Sequence, residues 1–536
     1  MHVRYNIAIL ARDGCRLLTD IYAVSEGCPR PTLLHRTLYG KEAQRAGGSL
    51  SLDRLLSAGF NVVVQDLRGC NGSDGKFTPY RDESADTADC LRWIRAQPWA
   101  NSRVAMIGRS YAGLTQWQAA TSQEDLALDA IAPEACSADL FEDWTYSAGV
   151  FRLGFALYWT LADLLPHATA SADSVRKARG HLHRMLHEPD AHLDDEPCVA
   201  AAAPYLAEWQ DRSERDCYWR ALSPASRWHR LNTPALCING WHDPFLAATL
   251  RDYCNVTACA GTLGSRSALV IGPWRHTGSR CAGQDSDLTE LHLDWFKQQC
   301  QETVGVAYDA LPVRLYVMGA QAWLRLSQWP PAADITREAL FLHGDGRRAG
   351  HLLPRQPHGA ACLGEMTADW RKPAKRRPAP HGYLDAHEYA DAVDDEPGTV
   401  LRYTSAPLDS PRILLGEIRA NAWVQTCELS FDIALRLRRL AAAGGTNIIA
   451  DTVLRFETVP NALVRFEFVL GATGQYFAAG DRLHLEITTS NFPEFDLNRS
   501  STNPSEARVL LWNAPRGGSF LSVPWYARSR ENEAFL

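Results

Sequence analysis

Val104-Ala105-Met106-Ile107-Gly108-Arg109-Ser110-Tyr111-Ala112-Gly113 is the stretch on which the fold turns. Its first four residues form an apolar run that reads as a strand, and Leu114 to Ala120 reads as a helix. A serine between two glycines, at the end of a strand and the start of a helix, has the setting of a nucleophile elbow. The sharp turn strains the backbone and needs small neighbours. It also sets the first N–H groups of the helix beside the serine oxygen, where an oxyanion would develop. One detail departs from the usual G-x-S-x-G: Ala112 stands two residues after Ser110, and the glycine comes one later. Helix N-capping is the plainer role for such a serine, so its surroundings must decide.

Outward from this stretch, Ile7 to Val24 reads as two strands around Arg12-Asp13-Gly14. Apolar runs follow at Pro31 to His35, Phe60 to Gln65, Ala130 to Ala132, Ala235 to Ile238 and Ala268 to Ile271. Between two of them, Ala88, Leu91, Trp93 and Ile94 fit one face of a helix over 85–96, which Pro98 terminates. Strands alternating with helices predict an α/β fold with a mainly parallel sheet covered on both faces. Chemistry in such sheets sits at the carboxyl ends of the strands.

Two of those ends carry further reactive groups. Ala235 to Ile238 runs into Asn239-Gly240-Trp241-His242-Asp243-Pro244-Phe245, and Ala268 to Ile271 runs into Gly272-Pro273-Trp274-Arg275-His276. The order Ser110, Asp243, His276 is that of the α/β-hydrolases. A serine hydroxyl needs a base to take its proton. A histidine supplies the base, and a carboxylate fixes its tautomer and stabilises the imidazolium. His242 competes with His276, but lies at the wrong strand end for this order. Asp243 could also cap the following helix, a role compatible with catalysis because a carboxylate has two oxygens.

Composition sets limits. A chain of 536 residues predicts two or three domains. Its 46% hydrophobic and 22% charged content suits a soluble globular protein. A net charge of −7 argues against nucleic-acid or anionic-membrane partners. The 17 tryptophans suit cores and also pockets for apolar or aromatic ligands. No C-x-x-C pair occurs among the 14 cysteines, and Met1 to Leu10 lacks the apolar run of a signal sequence. A cytoplasmic protein with reduced cysteines is expected. The sequence is compatible with a homo-oligomer.

These residues resemble the cocaine-esterase-like and X-Pro dipeptidyl-peptidase (S15, CocE/NonD) serine hydrolases. The likeness includes Asp66-Leu67-Arg68-Gly69 with Ser73, Gly75 and Phe77, and Gly108 to Gly113 with Thr115-Gln116-Trp117-Gln118-Ala119-Ala120. It continues through Ala132-Pro133, Ser137 to Leu140, Gly240-Trp241 with Asp243, Gly272-Pro273-Trp274 with His276, and Ser490-Asn491-Phe492-Pro493 with Asp496 and Asn498. The resemblance implies an α/β-hydrolase core over 1–140 and 231–334, a helical cap over 141–230 and a jelly-roll β-sandwich over 335–536. It also implies a tyrosine donor to the oxyanion hole, which His35-Arg36-Thr37-Leu38-Tyr39-Gly40 assigns to Tyr39. The second donor would be the Tyr111 N–H. Aromatics of the acyl pocket would correspond to Trp144, Trp159 and Phe245.

The rest of the chain agrees with that plan. Leu153 to Leu165 and Ser174 to His187 read as helices of the cap. His183 and His187 stand four apart on the second, but no third ligand is evident, so a solvated pair is expected and no metal. Beyond about residue 335 the period becomes two. Phe431, Ile433, Leu435 and Leu437 alternate with polar or small residues, as do Leu483, Leu485 and Ile487. The basic segment Arg371 to Arg377 reads as a solvated connection.

The function expected is a serine hydrolase acting through an acyl-enzyme on a small apolar or aromatic ester or amide, without cofactor. An X-Pro dipeptidyl-peptidase is an alternative and would need an acid to bind the substrate α-amine. Glu134, Glu142 and Asp143 are the nearest candidates. Acyl transfer or ring closure on a specialised metabolite would use the same triad. A non-catalytic binding protein would have no need of Ser110, Asp243, His276 and Tyr39 together.

Overall fold

The computed structural model describes residues 2–527 except 26, 46–50, 125, 169–171, 193–196, 260–265, 277–287, 302–310, 347, 375–398, 501–506 and 515–516. Residues 375–377 of the basic segment therefore lie outside the described residues. Among the described residues two large sheets dominate, one in an α/β body and one in an all-β body.

The first is a ten-stranded sheet. Its strands are β1 (His2–Leu10), β2 (Arg16–Ala23), β3 (Arg30–Thr37), β4 (Asn61–Asp66), β5 (Ala100–Arg109), β6 (Ala130–Glu134), β7 (Leu236–His242), β8 (Ala268–Arg275), β9 (Val313–Val317) and β10 (Ala322–Leu326). They lie in the order β1-β2-β4-β3-β5-β6-β7-β8-β9-β10. From β4 to β9 every neighbour pair is parallel, and the antiparallel pairs sit at the two edges. This is the α/β-hydrolase sheet.

Alternation along the strands decides which helix covers which face. The helices that matter are α1 (Leu52–Ser57), α2 (Glu83–Arg95), α3 (Tyr111–Ala120), α4 (Leu153–Tyr158), α5 (Ala172–His187), α6 (Leu246–Cys259) and α7 (Leu288–Cys300). Leu34, Val63, Met106 and Ile131 pack with Ala88 and Leu91 of α2 and Trp117 of α3. Leu33, Val62, Val64, Ala105, Ile107 and Ala132 point the other way, onto Leu55 of α1 and Phe296 of α7. Both faces of the central strands are thus buried, which is why they read as continuous apolar runs.

Between β6 and β7 the chain leaves the sheet and forms the helical cap. Leu153 to Leu165, expected as one helix, is divided: α4 gives way to a π turn over Trp159–Leu164. His183 and His187 stack with ring centroids 4.2 Å apart, and His187 Nδ1 lies 2.8 Å from the His183 carbonyl.

Among the described residues the second body is a jelly-roll β-sandwich of eleven strands between Ile335 and Tyr526. The strand Ser430–Leu440 pairs with Arg482–Thr488, setting Leu435 opposite Ile487 and Leu437 opposite Leu485. The alternating apolar residues point into its core. Their neighbours Asp432, Ala434 and Arg436 are buried as well. Ala434 packs on Val150 of the cap, while Asp432 and Arg436 pair with Arg455 and Asp451 at 2.9 and 2.8 Å. The second face of this strand is an interface.

Candidate active site

Ser110 lies between β5 and α3 at φ 59° and ψ −126°, a conformation costly for a residue with a Cβ. Its N–H donates to the Glu134 carbonyl at the end of β6 (2.8 Å), and its own carbonyl accepts from the N–H groups of Gly113 and Leu114. The shifted glycine has a steric reason. Gly108 has φ +150°, and a Cβ there would lie 2.7 Å from the Ala112 methyl and 2.8 Å from His35 Nδ1. A Cβ on Gly113 would lie 2.7 Å from Cys136 Sγ and 3.0 Å from the Glu134 carbonyl oxygen. Ala112 fills the space over Gly108, and Gly113 is the residue that meets β6.

His276, at the end of β8, bridges the strand ends. Its Nε2 is 3.2 Å from Ser110 Oγ and its Nδ1 is 2.8 Å from Asp243 Oδ2. With Nδ1–H donating to the carboxylate, Nε2 is left to accept the serine proton. Asp243 Oδ1 accepts from the Phe245 N–H at 2.8 Å, and Arg109 Nη2 lies 4.0 Å from Oδ2. Burial works against the Asp243 charge, but His276 and Arg109 outweigh it and hold the carboxyl below the ordinary value. The other histidine, His242, is half-buried and pairs with Arg275 in the sheet ladder.

Tyr39 stands on the loop after β3. Its hydroxyl is 3.3 Å from Ser110 Oγ and accepts from Trp159 Nε1 at 3.3 Å. Burial raises the phenol above its usual value, while hydrogen bonds to Ser110, Trp159 and the Tyr111 N–H act in the opposite sense. The phenol therefore keeps its proton. The loop is pinned from below: the Lys41 N–H and Nζ donate to Asp66 at 2.7 and 2.8 Å, and Asn71 Nδ2 donates to the Leu38 carbonyl at 2.9 Å. Asp66 belongs to the quoted Asp66-Leu67-Arg68-Gly69 motif, and its place at the end of an apolar run was the signal for a role the sequence left open.

Trp144, Trp159 and Phe245 share one buried aromatic cluster. Trp144 and Phe245 have centroids 4.6 Å apart, and Phe245 lies 5.5 Å from the His276 ring. Sequence reasoning missed Phe155, which is 5.7 Å from Trp144 and 5.5 Å from Phe245. Its signal was the unusual aromatic content of the Leu153–Leu165 segment.

The acids considered for an amine subsite already have partners. Glu134 lies 3.6 Å from Arg109 Nε, Glu142 accepts from the Ala148 N–H at 2.8 Å, and Asp143 accepts from Ser137 Oγ at 2.9 Å and pairs with Arg251. Glu142, Asp143, Arg152 and Arg251 line a cavity of about 260 Å³ that reaches Asp243 and the sandwich; Ser110 and His276 are not among its lining residues. Among the described residues no group of three or more His, Cys, Asp or Glu is arranged to hold a metal. Among them, too, no helix is long and apolar enough to cross a membrane.

Comparison with known proteins extends this picture. The family model described as X-Pro dipeptidyl-peptidase (S15 family) matches residues 13–278. Residues 305–512 match the X-Pro dipeptidyl-peptidase C-terminal non-catalytic domain. Cocaine esterase of Rhodococcus sp. (strain MB1 Bresler) is 29% identical over 553 residues, covering 95% of this chain and 94% of that protein. A solved α-amino acid ester hydrolase superposes with a TM-score of 0.78 at 22% identity, over 98% of this chain and 96% of its own. An aminopeptidase from the marine sediment archaeon Thaumarchaeota archaeon gives a TM-score of 0.78 at 20% identity, with the same coverage. These two structures share the fold.

Proposed function

The chain belongs to the X-Pro dipeptidyl-peptidase (S15) family of serine hydrolases, and from that premise we propose that it cleaves a carboxylic ester with a small apolar or aromatic acyl group. Ser110 Oγ attacks the carbonyl carbon as His276 Nε2 takes its proton. Asp243 holds the imidazolium, and Tyr39 with the Tyr111 N–H binds the oxyanion. Collapse expels the alcohol, which takes its proton from His276. Water then attacks the acyl carbon as the same nitrogen takes its proton, and collapse breaks the bond to Ser110 Oγ, which takes that proton back as the acid leaves. The observation that carries this reading is that Ser110 Oγ stands 3.2 Å from His276 Nε2 and 3.3 Å from the Tyr39 hydroxyl at once.

The acyl group follows from the walls. Trp144, Phe155, Trp159 and Phe245 form a buried aromatic cluster beside the triad, with the Arg152 guanidinium 5.0 Å over Phe155 and 5.4 Å over Phe245, and such rings favour an apolar or aromatic acyl group. Glu134, Glu142 and Asp143 are occupied within the chain, which favours an ester over an N-terminal X-Pro peptide. A fluorophosphonate should label the wild type and leave Ser110→Ala unlabelled. Aryl esters should turn over, with X-Pro anilides far slower. His276→Ala should lose turnover and His242→Ala keep it. Faster cleavage of X-Pro anilides than of aryl esters would reverse the substrate assignment.

A further inference from the structure

Glu83 is a buried carboxyl for which the mechanism above has no use. It opens α2, and only 4% of its surface is exposed. One of its oxygens, Oε1, accepts from the Tyr111 hydroxyl. Among the described residues Oε2 finds no hydrogen-bond partner. Burial pushes the carboxyl up to about 7. A half-satisfied buried carboxyl destabilises a fold, so its effect on Tyr111 calls for an explanation.

Tyr111 is the residue whose N–H faces the forming oxyanion, and it is held at several points. Its hydroxyl also accepts from the Tyr80 N–H at 2.7 Å. Its ring stacks on Tyr80 with centroids 5.9 Å apart and on Trp159 at 5.7 Å. Trp159 Nε1 in turn donates to the Tyr39 hydroxyl. Both expected oxyanion donors therefore rest on one stacked array, Tyr111 by its own backbone and Tyr39 through Trp159. Glu83 is the outer anchor of that array. Its main chain is fixed too: the Glu83 carbonyl accepts from Arg36 Nη1 at 2.8 Å, and Arg36 belongs to β3, which leads into the Tyr39 loop.

We propose that Glu83 is a positioning residue: by holding the Tyr111 hydroxyl it fixes the first residue of α3, and so sets the Tyr111 N–H and Tyr39 against the Ser110 oxygen. The inference rests on the oxyanion roles given to Tyr111 and Tyr39 above. A displaced donor costs rate in the transition state and leaves ground-state binding nearly intact.

The test uses wild type, Tyr111→Phe, Glu83→Leu, Glu83→Gln and the double variant Tyr111→Phe with Glu83→Leu. It reads kcat and KM for 4-nitrophenyl acetate, the Ki of phenylboronic acid, whose tetrahedral adduct carries a charged oxygen, and fluorophosphonate labelling. Tyr111→Phe and Glu83→Leu should each lower kcat about 10- to 100-fold, less than the loss of a whole donor, with KM nearly unchanged. Boronate affinity should fall by the same factor. Glu83→Gln, which keeps an oxygen for the tyrosine, should recover most of the rate. The double variant should be no worse than the poorer single one. Tyr111→Phe, which keeps the ring, tests the idea even if Glu83→Leu does not fold. Wild-type kcat in Tyr111→Phe, or a Gln variant as slow as Leu, overturns the proposal while labelling of Ser110 still stands. Loss of labelling at Ser110 in the wild type would instead overturn the hydrolase mechanism beneath it.

Discussion

Tyr39 shows how much of this site depends on single atoms. Its N–H donates to Thr37 Oγ1 at 3.0 Å, its hydroxyl accepts from Trp159, and the same hydroxyl faces Ser110. Tyr39→Phe keeps the ring and removes the donor, leaving the Trp159 N–H without its acceptor. We expect kcat to fall about 10²- to 10³-fold with KM changed far less. Steady-state kinetics on any accepted ester checks this, and an unchanged kcat would leave the oxyanion to backbone donors alone. That Ser110, Asp243 and His276 would meet was legible in the chain because each follows an apolar run, and the strand ends of a parallel sheet converge. Tyr39 needed the resemblance, since nothing local marks a loop tyrosine as a donor. Glu83 and Lys41 could not be read at all. Their bonds to Tyr111 and Asp66 span 28 and 25 residues and join separate elements, so no spacing betrays them.

Strands β3 and β5 meet beneath the elbow through His35. This side chain is buried, and its Nδ1–H donates to the Ile107 carbonyl at 3.0 Å. Burial lowers the imidazole from 6.5 to about 4. The folded value lies below the unfolded one, so as pH falls the unfolded chain takes up the proton first. The stability held above pH 6.5 is then lost between there and about 4, up to about 3 kcal/mol. Asparagine keeps an N–H donor at similar reach and does not titrate. Urea midpoints measured from pH 4 to 7 should therefore fall less steeply for His35→Asn than for wild type; parallel profiles would refute the assignment. Strands of this kind were readable because both of their faces are buried, Leu33 on one and Leu34 on the other, so they run as continuous apolar stretches. The π turn at Trp159–Leu164 was not. Its sequence is that of an ordinary helix, and what accompanies it is a tertiary contact, the Trp159 indole donating to Tyr39.

At the scale of the whole molecule, the sandwich is built into the catalytic body. Met318, just beyond β9, exchanges main-chain hydrogen bonds with the sandwich strand Leu463–Phe477: its N–H donates to Gly474, and its carbonyl accepts from Tyr476, both at 2.8 Å. Leu415, Phe492 and Tyr526 of the sandwich share a buried cluster with Trp144 and Trp159. The period-two pattern announced the sandwich, but not that Asp432, Ala434 and Arg436 would be buried; polar residues at an interface read like polar residues in solvent. Gly474 is one place where the sandwich presses on the catalytic body. A Cβ there would lie 2.7 Å from Trp241 Cζ2, and Trp241 stands two residues before Asp243. No left-handed φ marks this glycine, so the effect of a larger residue is steric. Gly474→Leu should push Trp241, and with it the turn that carries Asp243, at an overpacking cost of about 1–3 kcal/mol. Calorimetry should show one cooperative transition at a lower Tm, and kcat should fall with it. Two resolved transitions, or a lowered Tm with wild-type kcat, would mean that the sandwich does not support the triad. One transition with impaired turnover would place Gly474 among the residues that hold Asp243 in register with His276.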